Sequence, residues 1–352
     1  MTLSQTLDVI RPLDEKAMEA ARNRWNSVAK PLGSLGLLED VIVKIAGITR
    51  SPRIDLSKRA VVAFCADNGV VQEGVTQCDS SVTAVVTENF SSGDSSVCKM
   101  AAVANARVVP VDIGVAREVH GENIVRAKVA YGTKNMALGP AMSRDEAVQA
   151  LEIGIRMAQQ MKEEGCRILA TGEMGIGNTT TSSALTAVFL QRDPQEVTGR
   201  GAGLSSEGLM RKMQVIRRAI QVNRPNAGDA LDTLSKVGGL DIAGMAGLFL
   251  GGAALGIPVL IDGFISAAAA LTAVRLCPAV REYLIASHVS REPAGSLLMR
   301  ELGAEPFLDA RMCLGEGTGA VAVLPILDMA AAVYSQMSTF AEIQIEEYKP
   351  LV

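Results

Sequence analysis

Two carboxylates set among glycines are the groups in this chain best placed to do chemistry. Glu316 stands in Cys313-Leu314-Gly315-Glu316-Gly317-Thr318-Gly319-Ala320, directly before an apolar stretch that reads as a helix running toward Ser335. Acid/base work needs an acid held rigidly, with its pKa tuned by its surroundings, and this open loop suits that use. A helix N-terminal acid that complements the dipole would occupy the same place, and the glycine setting favours function. Glu173 sits in a second such stretch. Arg167 to Thr171 reads as a short buried strand, Gly172-Glu173-Met174-Gly175-Ile176-Gly177-Asn178 as a glycine-rich turn, and Thr179 to Leu190 as a helix with a hydroxyl-rich first turn. Strand, glycine turn and helix N-terminus together expose unpaired N–H groups at the positive end of a dipole, which is a phosphate cradle. The same residues would also make a well-capped loop with Asn178 or Thr179 as N-cap, and Glu173 tips the reading toward the cradle.

A second glycine loop, Thr198-Gly199-Arg200-Gly201-Ala202-Gly203-Leu204, carries a cation, and Ser205-Ser206-Glu207 opens a helix through Lys212 to Ile220. Arg200 or Lys212 could meet a phosphate or carboxylate, although a lysine on a helix surface is usually only solvated. The chain has two histidines. His120 lies in a charged stretch and reads as surface, while His288 either borders a site or caps a loop. No G-x-S-x-G elbow and no Walker A sequence is present, and Thr180 stands where a dinucleotide fingerprint would place its third glycine.

These groups need elements to position them. Val61 to Ala66, Arg107 to Val111, Ile168 to Thr171 and Pro258 to Ile261 are apolar runs, each ending in an acid beside a glycine: Asp67, Asp112, Glu173 and Asp262. Helical periodicity marks Pro12–Ser27, Leu37–Ile48, Asp145–Glu164 with Ser143 as N-cap, and Ser266–Val274. Strands alternating with helices predict a parallel sheet covered on both faces, with its ligand outside the carboxyl ends of the strands. All four acids are then expected at one crevice.

At 352 residues, 48% of them hydrophobic, the chain can bury a sizeable core, built from aliphatic residues because Phe, Tyr and Trp number 7, 4 and 1. A net charge of −4 without a basic block argues against nucleic acid. The six cysteines form no CxxC, so no zinc or other metal site is expected, and reduced thiols in the cytoplasm fit. Asp8 breaks the N-terminal apolar pattern, so no signal peptide is read there. Ile242 to Ile261 is uncharged, but Pro258 and several glycines interrupt it, and it reads as a buried helix, a stop at Gly256 and a buried strand rather than a membrane span.

The motifs resemble the nicotinate-nucleotide–dimethylbenzimidazole phosphoribosyltransferase family. The resemblance rests on Lys30-Pro31-Leu32-Gly33-Ser34-Leu35-Gly36, Ala66-Asp67-Asn68-Gly69-Val70, Val111-Asp112-Ile113-Gly114 and Thr171 to Thr180. It continues through Gly199-Arg200-Gly201, Gly238 to Ala243 and Leu314 to Gly319, spanning nearly the whole chain in order. Leu37 stands where a basic residue is expected, and Ala294-Gly295-Ser296 departs from the pattern after Glu292-Pro293. The family implies transfer of a 5-phosphoribosyl group from nicotinate mononucleotide to 5,6-dimethylbenzimidazole, with Glu316 as the general base and Glu173 in support. Gly175, Ile176, Gly177, Asn178, Thr179 and Thr180 would bind the 5′-phosphate, with Arg200, Gly201, Gly203 and Lys212 near the nucleotide. Asp67, Asn68, Asp79, Ser80, Met174 and Gly315 would border the base pocket. No cofactor and no metal is implied.

The resemblance also implies a Rossmann-like parallel sheet over residues 31–292, with a small helical domain assembled from residues 1–30 and 293–352. It implies a homodimer as well. The rival readings are a nicotinamide-dinucleotide oxidoreductase and a non-catalytic nucleotide-binding protein.

Overall fold

The computed structural model describes residues 1–348, so the last four residues of the expected C-terminal part lie outside it. Its centre is a six-stranded parallel sheet in the order β3-β2-β1-β4-β5-β6. The strands are β1 (Arg59–Ala66), β2 (Arg107–Gly114), β3 (Val125–Arg126), β4 (Ile168–Met174), β5 (Val259–Ile261) and β6 (Leu284–Ala286). This is the doubly wound arrangement, with the reversal of strand order between β1 and β4. Every residue of β1 is buried, which is why its sequence runs apolar without alternation. Four of the strands follow from the apolar runs. The edge strands β3 and β6, two and three residues long, carry too little pattern to be read.

The helices fall close to their sequence signals. Arg144–Glu163 starts at a Ser143–Glu146 capping box, and Leu240–Leu255 stops at Gly256 in the left-handed conformation. These two helices pack backbone to backbone. A methyl group added at Gly247 would stand 1.9 Å from the Leu151 carbonyl oxygen, and one at Gly154 would stand 2.0 Å from that of Gly244. The uncharged stretch from Ile242 is thus core. Another helix, Thr318–Gln336, is long and apolar enough to cross a membrane, with half of that stretch buried in the fold.

Segments from near the two ends of the described chain touch one another. Trp25 and Tyr334 form an edge-to-face pair at 5.1 Å, Arg24 Nε donates to Tyr334 O at 2.9 Å, and Val28 bridges Thr339.

Candidate active site

The carboxyl ends of β4, β5 and β6 open onto a cavity of ≈ 310 Å³. Glu173 is the penultimate residue of β4, Asp262 follows β5 directly, and His288 comes two residues after β6; all three line the cavity and are buried. The Gly175–Thr179 turn, Arg200, Gly201, Met174, Gly315 and Glu316 line it too.

Glu316 reaches the cavity through an unusual backbone. Gly315, Glu316 and Gly317 have φ of 92°, 62° and 100°, so a glutamate is held in the left-handed region between two glycines. That conformation costs a non-glycine residue about 1–2 kcal/mol, and the surroundings must hold it there. They do so from several sides. Glu316 N donates to Glu173 Oε1 at 3.3 Å. Asp262 Oδ1 accepts the N–H groups of Gly319 and Ala320 at 2.7 and 3.0 Å, and its Oδ2 accepts that of Gly317 at 3.2 Å. A carboxylate at the end of β5 therefore caps the helix Thr318–Gln336 from outside its own chain segment. Glu316 Oε2 accepts Val97 N–H at 3.0 Å, at the N-terminus of the helix Ser96–Val103. Burial raises the Glu316 pKa above its ordinary value, and the N–H groups of Val97 and Ser96 oppose that rise.

Glu173 is held by the glycine turn. Asn178 Nδ2 donates to Glu173 Oε2 and, at 3.1 Å, to Asp241 Oδ2. Burial and the proximity of the two acids raise the proton affinity of the pair. Burial also pushes Asp262 up to about 7, against the N–H groups it accepts.

The glycine turn between strand and helix has the predicted shape with one difference. The N-cap of the helix Asn178–Leu190 is Gly177 at φ 94°, with no side-chain cap, in place of Asn178 or Thr179. Asn178 is instead committed to the two acids, which leaves the helix end without a side-chain cap. Thr180 and Thr181 N–H bond back to Gly177 O, whereas the N–H groups of Gly177 and Thr179 find no acceptor among the described residues. Lys212 is fully buried rather than solvated. Its Nζ donates to Thr179 Oγ1 at 2.8 Å and to Gly199 O at 3.2 Å, so its charge sits behind the turn. Burial lowers its pKa to about 8.

Arg200 folds back on its own loop, donating to Leu204 O at 2.6 Å and Ser206 Oγ at 3.1 Å. Gly203 O accepts Gln77 Nε2, and Gly201 N donates to Glu292 Oε1 at 3.1 Å. Thr180 and Lys212 are buried behind the cavity wall rather than on it, and Gly203 is exposed outside it.

The four strand-end acids do not share one crevice. Glu173 and Asp262 line the main cavity. Asp112 Oδ1 accepts Val115 N–H at 3.0 Å and pairs with Lys128 through Oδ2 at 2.9 Å; Asp67 Oδ2 accepts Ala116 N–H at 2.7 Å. Both serve the loop after β2, the turn-making use that Asp-Gly sequences also allow. Asp67, Asn68, Asp79 and Ser80 border a separate cavity with Tyr131 and Thr133. His288 is buried on the main cavity, with Nδ1 3.2 Å from Ser287 Oγ, and His120 is exposed.

Several lining residues gave no sequence signal. Thr76, Gln77 and Cys78, and Ser290 with Glu292, arrive from loops without distinctive composition. The capping role of Asp262 and the Val97 contact join residues far apart in the chain. Among the described residues no cluster of ligands suited to a metal ion occurs.

Comparison with known proteins bears on this arrangement. A family model described as phosphoribosyltransferase matches residues 10–345. The nicotinate-nucleotide–dimethylbenzimidazole phosphoribosyltransferase of Acetivibrio thermocellus is 49% identical over 350 residues, covering 99% of this chain and 100% of that one. Its namesake from Ruminiclostridium cellulolyticum is 45% identical over 351 residues, covering 100% of both. The crystal structure of CobT from Thermus thermophilus superposes with a TM-score of 0.90 at 39% identity, covering 95% of this chain and 100% of that one. The oxidoreductase and non-catalytic readings gain no support from these relatives. With the match running through both carboxylate loops and the sheet between them, this chain belongs to the nicotinate-nucleotide–dimethylbenzimidazole phosphoribosyltransferase family.

Proposed function

We propose that the protein moves the 5-phosphoribosyl group of nicotinate mononucleotide onto 5,6-dimethylbenzimidazole, releasing nicotinate and forming α-ribazole 5′-phosphate. The observation that carries this reading is the strained Glu316, facing the Gly175–Thr179 turn across one cavity. Nicotinate leaves as a neutral pyridine ring, taking the electron pair of the broken C1′–N bond. A benzimidazole nitrogen forms the new bond from its lone pair as its partner N–H gives a proton to the Glu316 carboxylate. In this reading the free N–H groups of Gly177 and Thr179 and the charge of Lys212 receive the 5′-phosphate, which fixes the ribose for attack. The base lies against Met174, Val86 and Leu314. Glu173 supports the Glu316 loop through the backbone. Asp67, Asn68, Asp79 and Ser80, on the second cavity, are left out of the base subsite.

The same reading includes a helical unit made from both chain ends and a cytoplasmic homodimer. Light scattering that returns 37.0 kDa rather than twice that mass would remove the dimer.

The test is to incubate the protein with nicotinate mononucleotide and 5,6-dimethylbenzimidazole and separate the products. Equal amounts of nicotinate and α-ribazole phosphate are expected. Glu316→Gln should lower turnover by about 10²–10⁴-fold with mononucleotide binding retained. Near-normal turnover in that variant would move the base elsewhere, and no product from the intact protein would overturn the reaction.

A further inference from the structure

His288 is a buried ring on the cavity wall that the transfer proposed above does not use. It comes two residues after β6, and its Nδ1 lies 3.2 Å from Ser287 Oγ. That hydroxyl has a single proton to give. Ser287 Oγ is 3.0 Å from Asp262 O, and no other donor reaches this carbonyl among the described residues. A buried carbonyl without a donor is costly, so the serine proton goes to Asp262 O. Ser287 Oγ can then only accept from the ring, which puts the imidazole proton on Nδ1. Backbone holds the ring on both sides: a methyl added at Gly319 would collide with Nδ1, and one at Gly263 would stand 3.4 Å from Nε2. Burial alone sets the His288 pKa below its ordinary 6.5, so the ring is neutral at neutral pH.

Nε2 is left with a bare lone pair. It meets no partner among the described residues and is open to the cavity. A fixed acceptor on a cavity wall selects a ligand that donates. In the transfer proposed above, on which this inference rests, the one N–H of 5,6-dimethylbenzimidazole goes to Glu316. The phosphate and carboxylate of nicotinate mononucleotide are anions that only accept, and they repel a lone pair. Its ribose hydroxyls are the donors that remain. We propose that His288 Nε2 accepts a hydrogen bond from a ribose hydroxyl of the mononucleotide and so selects ribosyl over deoxyribosyl substrates. The ring packs on Gly319, in the first turn of the helix that follows Glu316, so this bond ties the sugar to the element that carries the carboxylate.

Two measurements on the full chain test this. The chain has two histidines, so nitrogen spectra of protein labelled at histidine are assigned by comparison with His288→Gln. The His288 ring should show a protonated Nδ1 and a bare Nε2, and the Nε2 resonance should move when nicotinate mononucleotide is added. A proton found on Nε2 would overturn the proposal. Calorimetry without the base then compares the mononucleotide with its 2′-deoxy and 3′-deoxy analogues, which also tells the two hydroxyls apart. The wild type should bind at least one analogue about tenfold more weakly than the mononucleotide. That gap should close in His288→Leu and survive in part in His288→Gln, whose amide oxygen can accept. A gap of the same size in His288→Leu would sink the idea. In turnover, His288→Leu should raise KM for the mononucleotide more than it lowers kcat. A kcat as low as that of Glu316→Gln would make His288 a base and defeat the assignment. A wild type that binds no mononucleotide would overturn the phosphoribosyl reading together with this one, whereas equal binding of all three ligands would overturn this one alone.

Discussion

In the proposed reaction Glu316 is the base, and two opposed effects set its pKa. Burial raises it, and the N–H groups of Val97 and Ser96 hold the rise in check. A base works deprotonated, so kcat/KM should climb with pH through a limb lying above the ordinary carboxylate value of 4.5. A pH–rate profile already flat at pH 4.5 would contradict this. The neighbouring glycine is as constrained as this carboxylate. A methyl at Gly315 would stand 2.2 Å from Glu173 Oε1 on a backbone at φ 92°, so Gly315→Ala should cut kcat severely and leave mononucleotide binding largely in place. Isothermal titration alongside turnover separates the two. Lys212 makes a different claim. Its folded pKa of about 8 lies below its ordinary 10.5, so between those values the unfolded chain binds the extra proton. Stability from this group is therefore lowest below pH 8 and rises toward pH 10.5. Urea midpoints of wild type measured against Lys212→Met should diverge upward over that window. Parallel midpoints would mean that the ammonium is not desolvated as its burial implies.

At the scale of elements, the active-site loop is built by capping across the fold. Asp262 satisfies three N–H groups at the head of the helix Thr318–Gln336, and a buried donor left unsatisfied costs about 1–3 kcal/mol. Asp262→Ala should lower the Tm and release the Glu316 loop, with kcat falling more than mononucleotide affinity. A variant that loses stability but keeps kcat would show that the loop holds its shape unaided. The helix pair behind the sheet depends on glycine for a separate reason. Gly247→Ala forces a methyl against the Leu151 carbonyl and should destabilise by about 1–3 kcal/mol or more, whereas Gly139→Ala has open space around it and should be tolerated. Denaturant melts of the two variants side by side check this.

Over the whole molecule, buried acids give stability an uncommon pH dependence. Asp262, with a folded pKa of about 7 against an ordinary 3.8, and the Glu173–Asp241 pair keep protons that the unfolded chain gives up. The folded state then binds more protons, so stability falls as pH rises across that window. His288 acts in the opposite sense, since burial lowers its pKa and an unfolded histidine binds the proton first. The exposed carboxylates with lowered pKa, such as Glu118 and Asp193, have ionised in both states by about pH 5 and drop out. More acids than histidines titrate, so the urea midpoint should fall from pH 5 to pH 8. A midpoint that rises over that range would mean that these acids are ionised throughout.

The sequence by itself determined the parts that depend on local pattern. Continuous apolar runs specified β1, β2, β4 and β5, capping signals specified the helix Arg144–Glu163, and glycine spacing around Glu173 and Glu316 marked both loops of the cavity. Those signals sit within a few residues of the atoms they position. Tertiary structure decided what those residues do to one another. Asp262 caps a helix 55 to 58 residues away, Val97 holds a carboxylate 219 residues away, and Asn178 leaves its expected cap to bridge Glu173 and Asp241. It also divided Asp67 and Asp112 from Glu173 and Asp262, although all four end strands in the same way. The physical reason is that the carboxyl end of a parallel sheet gathers loops by strand order, and strand order is fixed by packing between elements distant in the chain.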